Sequence, residues 1–98
     1  MFVVLLKFAE NKSLAGQFME AHNAWLRHGF DDGIFMLAGS LQPTLGGAIL
    51  AHDITHDALM QRIQDDPFVA EGVVSAEILE ITPAKADERL QFLCGSPA

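Results

Sequence analysis

The chain has 98 residues, half of them hydrophobic, which is enough for one domain with a real core and too little for two. Thirteen acidic side chains against six Lys and Arg give a net charge of -7 with no basic cluster, so a phosphate backbone is repelled and nucleic acid is excluded as a partner. Cys94 is the single cysteine, which excludes an intrachain disulfide framework and fits a reducing compartment.

Phe2 to Phe8 reads as a strand whose two alternating sets, Phe2/Val4/Leu6/Phe8 and Val3/Leu5, are both apolar, as in a strand buried on two faces. No basic region precedes this run, and Lys7 and Glu10 interrupt it far short of a membrane span, so the expected location is cytoplasmic with no membrane partner. Asn11 or Ser13 then caps a helix on which Leu14, Phe18, Ala21, Trp25 and Leu26 recur at steps of three and four. This helix should end near His28-Gly29, with Asp31-Asp32-Gly33 as the turn.

Ile34 to Ala38 is a second strand continuing toward Leu41, and Gly47 to Ala51 a third, with a hairpin-sized break from Pro43 that makes them antiparallel neighbours. Thr55 caps a second helix with Asp57 in its first turn and Leu59, Met60 and Ile63 as its apolar stripe; Pro67 stops it. Gly72 opens a last strand, Val73 to Ile81, polar enough for a sheet edge. Beyond a core of about residues 2–82, residues 83–98 form a tail, with a short helix over Ala84 to Leu93.

The order βαββαβ is the ferredoxin-like pattern, an α+β fold with a four-stranded antiparallel sheet and both helices on one face. Its central strands are the first and third, the two with almost no polar face. Helices on one side do not account for that, so a homodimer packed sheet to sheet is expected. The alternative is that the C-terminal segment folds over the bare face within one chain.

For chemistry, His22 lies four after Phe18 and three before Trp25, on or beside the apolar stripe, where an imidazole needs hydrogen-bond partners. Asp66, in Asp65-Asp66-Pro67-Phe68 at the kink that closes the second helix, is the candidate partner. A carboxylate holding one ring nitrogen would fix the tautomer and leave the other as a general base or acid. The plain structural alternative pairs Asp66 with Arg62 and leaves His22 as a satisfied core histidine. His52-Asp53 and His56-Asp57 imitate metal-ligand spacing, but the Thr55 cap puts the two rings on different elements, so no metal is expected. His28 fits the dipole of its helix end. Gly39-Ser40 offers an amide or a hydroxyl to a pocket, or is a bulge and turn. Phosphate-loop, dinucleotide and nucleophile-elbow patterns are missing, so no cofactor is expected.

His22-Asn23-Ala24-Trp25-Leu26, Gly33, Ala38-Gly39, Asp65-Asp66-Pro67-Phe68 and Gly72, in this order from about residue 2 to residue 82, resemble the YciI-like (YCII-related) family. The resemblance implies a dimeric α/β-barrel arrangement in which His22 and Asp66 share a pocket as a catalytic pair; a related branch is linked to dehydrochlorination of a chlorinated hydroxyquinol. Two positions depart from the family pattern: Met19 stands where many members carry an arginine, which argues against an anionic substrate, and Ser40 where a proline often follows the glycine. The expected protein is a small cofactor-free enzyme of the lyase or isomerase type, moving a proton on a compact, aromatic or cyclic molecule. Trp25, Gly39, Ser40 and Phe68 would line its pocket. The other reading is a non-catalytic domain that binds a small ligand in the same pocket.

Overall fold

Strand β1 (Phe2–Phe8) lies inside a four-stranded sheet, paired antiparallel with β3 (Gly46–Ala51) on one side and with β4 (Val74–Glu80) on the other. A computed structural model, which describes residues 1–94, places β2 (Phe35–Leu41) outside β3, so the order is β2-β3-β1-β4. This is the ferredoxin-like topology, with β1 and β3 central and β4 at an edge.

Alternation divides β1 between two environments. Phe2, Val4 and Leu6 join Ile49 and Ala51 of β3 in a core closed by Trp25 of α1 (Ala15–Asp31), by Leu59 and Ile63 of α2 (His56–Gln64) and by Phe68 of α3 (Pro67–Ala70). Val3 and Leu5 point the other way. Val3 stands between Leu50 and Leu79, and Leu37 beside Leu50, so one apolar row crosses the sheet on the face without helices. Leu37 and Leu79, at the ends of that row, are 55% and 44% exposed. The described residues of the C-terminal segment, up to Cys94, do not cover them. The segment leaves the sheet after Ile81, turns into a 3-10 helix at Glu88–Cys94 capped by Asp87, and touches β3's end through Phe92 against His52. Residues 95–98 of the expected tail lie outside the described residues.

Other boundaries differ from expectation for local reasons. Asn11 does not cap α1: its Nδ2 donates to the Glu71 carbonyl at 2.9 Å, and a 3-10 turn at Lys12–Leu14 leads into the helix. α1 runs through Gly29 to Asp31, because Gly29 is where the helix meets the Phe35 ring; a Cβ there would lie 2.1 Å from it. The inward residues are Ala15, Phe18, His22, Trp25, Leu26 and Gly29, so Phe18, Trp25 and Leu26 lie as expected and His22 takes the place that Ala21 was expected to hold. Thr55 caps α2 as expected, its Oγ1 accepting from Ala58 N at 3.1 Å, but Met60 faces outward, 45% exposed.

Candidate functional site

Pro67 has no N–H and crowds the residue before it out of helical geometry, so α2 stops and Asp66 takes an extended backbone with ψ 123°. Proline then serves as the first residue of α3, with Asp66 as its N-cap. The carboxylate is thereby turned inward. Its Oδ1 accepts from Phe68 N at 3.0 Å and lies 2.7 Å from His22 Nδ1. Asp66 is wholly buried, and its Oδ2 has no hydrogen-bond partner. Arg62, the alternative partner, instead pairs with Asp32 at 2.9 Å.

A carboxylate can only accept, so the short contact places a proton on His22 Nδ1. Nε2 is then the nitrogen left for chemistry. Among the described residues no hydrogen bond is made to it, and the His22 side chain keeps 12% of its surface exposed. The ring has little freedom: Phe68 stacks on it with centroids 4.0 Å apart and planes at 4°, and Trp25 lies 5.9 Å away at 27°. Trp25 is itself tied to α2 by its Nε1, which donates to the Arg62 carbonyl at 3.0 Å.

His22 borders a cavity of about 230 Å³ between α1 and the sheet. Gly39, Ser40 and Phe68 line it too, as does Asn23, while Leu6, Phe8 and Met19 supply apolar wall. A second cavity of about 190 Å³ shares His22, Gly39 and Ser40 and extends toward Leu26 and Ile49. Gly47 lines both cavities, in register between Leu6 and Ser40 on the helix-facing side of the sheet, and a Cβ there would lie 3.3 Å from the Gly39 carbonyl oxygen. Gly46 beside it has φ 136° and lies so close to the Leu6 carbonyl that a Cβ would be 1.9 Å from its oxygen.

Trp25 is the expected pocket residue that lies elsewhere. It packs beside His22 but lines a separate, more open cleft of about 760 Å³ with His28, Asp32, Arg62 and Asp65. The reason is helical: Trp25 is three residues beyond His22 and turns toward α2, whereas Met19 and Asn23 flank the imidazole on the cavity side. Asn23, Gly46 and Gly47 were not singled out from the sequence; the glycine pair opening a strand opposite an apolar one was the available sign. His52 and His56 do not meet: His52 contacts Phe92, and His56 lies 3.6 Å from the exposed Asp57. Among the described residues, no group of three His, Cys, Asp or Glu side chains is placed to hold a metal ion.

No family model and no curated protein matches the sequence. In fold, the chain is similar to 5-chloro-2-hydroxyhydroquinone dehydrochlorinase (TftG) from Burkholderia phenoliruptrix AC1100, solved in complex with 2,5-dihydroxybenzoquinone. The TM-score is 0.67 over 83% of this chain and 93% of that one, at 13% sequence identity, which is a likeness of fold. Among the described residues, no helix is long and apolar enough to cross a membrane.

Proposed function

We propose that this protein is a YciI-like, cofactor-free enzyme of the lyase or isomerase type, in which His22 Nε2 takes a proton from a carbon or hydroxyl of a small cyclic substrate. In an isomerisation it then returns the proton to another atom of the same molecule; in an elimination it passes the proton to the departing group as that bond breaks. The observation that carries the reading is the 2.7 Å contact between His22 Nδ1 and the fully buried Asp66, which leaves one ring nitrogen free beside a cavity. Asp66 is a positioning residue: it fixes the tautomer and the ring plane and stabilises the imidazolium while His22 holds the proton. Phe68 adds a flat support, and Ser40 and Asn23 offer hydrogen bonds to substrate oxygens. The shared fold with a dehydrochlorinase, an enzyme of the lyase type, supports the class of reaction.

The test is turnover of a panel of small phenols and lactones. His22→Ala should lower kcat about 10²–10⁴-fold, the range that general acid–base groups supply. Asp66→Asn should lower kcat with a smaller effect on KM, because it disturbs the base and not the binding walls. Turnover that survives His22→Ala would sink the proposal. Binding at the cavity with no turnover of any compound would favour the ligand-binding reading instead.

A further inference from the structure

Two cavities adjoin at His22, one of about 230 Å³ and one of about 190 Å³, and Leu6, His22, Gly39, Ser40 and Gly47 line both. Their other walls differ in kind. The first adds the Asn23 amide to its apolar surface, whereas the second adds only Leu26, Ala38, Ala48 and Ile49, none of which has a polar side-chain atom. Ala38 stands opposite Ile49 in the register of β2 with β3, on the same side of the sheet as Gly47 and Ser40. The second cavity therefore runs from Ile49, buried in the core, past half-buried Leu26 of α1 to exposed Ala38 on the edge strand.

A polar group that reached past the shared wall would shed its water and meet no side-chain donor or acceptor in exchange. An aliphatic group loses nothing there, and each methylene taken out of water favours binding about threefold to fourfold. Volume limits its length. An apolar cavity of about 150 Å³ holds the six carbons of benzene, so the second cavity, at about 190 Å³, takes a chain of about four to six carbons.

Resting on the reading that the first cavity holds the reacting ring beside His22 Nε2, we infer that the second is a subsite for a short aliphatic chain borne by that ring, with Leu26 and Ala38 as the residues that set its specificity. The substrate class is an alkyl-substituted small ring, whose polar part meets Asn23 and Ser40 and whose chain lies along Leu26 and Ile49. Ala38, small and at the open end, lets the chain reach the edge of the sheet.

The experiment titrates the ¹⁵N-labelled protein with γ-lactones that share one ring and differ in chain, from γ-butyrolactone, which has none, through γ-valerolactone and γ-hexalactone to γ-octalactone and γ-dodecalactone. Affinity should rise about threefold to fourfold per methylene as far as γ-octalactone and level off by γ-dodecalactone, whose chain outruns the cavity. The amide shifts that grow along the series should be those of Leu26, Ala38 and Ile49. From γ-valerolactone to γ-octalactone the rise in the unaltered protein should be about 30- to 60-fold. Ala38→Leu, which fills the open end from an exposed position, should bring it below about fivefold, and Leu26→Gln, polar at nearly the same volume, should flatten the series in the same way. Affinity independent of chain length overturns the inference, as do a rise that survives both substitutions, shifts that grow instead at Leu37 and Leu50 on the other face of the sheet, and no binding of any lactone. A rise with chain length but no turnover of any ring compound would refute the enzymatic reading and leave the subsite standing; turnover with no dependence on the chain would do the reverse.

Discussion

At the scale of single residues, Asp66 holds two jobs with one oxygen. Oδ1 caps α3 through Phe68 N and receives the His22 proton donor, while Oδ2 is buried without a partner. Loss of the cap alone costs about 1 kcal/mol, and a hydrogen bond to a charged group about 1.5–3 kcal/mol. The buried, unpartnered oxygen works against these gains, because a desolvated acceptor costs about 1–3 kcal/mol. Asp66→Ala should therefore lower stability by only about 1–3 kcal/mol, less than the two contacts suggest, and urea denaturation will measure it. A loss above about 5 kcal/mol would mean that the carboxylate is stabilised by something beyond these contacts. His22 was legible because polar residues on an apolar stripe are conspicuous, and Asp66 because Pro67 fixes the kink. Their meeting was not legible: 44 residues separate them, and α3 packing on α1 closes the distance.

At the scale of elements, α1 is shaped by what it meets and not by its own signals. It lacks a side-chain cap and continues through a buried glycine, since Gly29 allows the helix to rest on Phe35. Gly29→Ala improves helix propensity by about 1 kcal/mol yet drives a methyl into the ring, and overpacking costs about 1–3 kcal/mol. The expected outcome is a net loss of stability and a lower melting temperature; a gain would show that Phe35 can move aside freely. α2 behaves in the opposite way. Its Thr55 cap is local, exposed and independent of the site, so Thr55→Ala should cost about 1 kcal/mol by denaturation while leaving ligand binding at His22 unchanged.

At the scale of the molecule, the row Leu37, Leu50, Val3 and Leu79 crosses the sheet with both ends exposed, and the described C-terminal segment leaves it uncovered. We propose that a second copy covers this face, giving the homodimer expected from the doubly apolar β1. Light scattering at micromolar concentration should report twice the 10.7 kDa chain mass, and Leu37→Glu should shift the protein toward the monomer without altering the His22–Asp66 contact. A single-chain mass for the unaltered protein would remove the dimer.

The sequence by itself determined the strand and helix order, the central position of β1 and β3, the Thr55 cap and the kink at Pro67, because alternation, helical spacing and proline geometry act over a few residues. Only the tertiary structure decided which residues of α1 face the core, that Trp25 turns to a different cleft from the one beside His22, and that Gly47 lines a cavity between Leu6 and Ser40. These depend on the rotation of a helix against a sheet and on a register between strands distant in the chain, and a small angular change in either moves a side chain from one cavity to another.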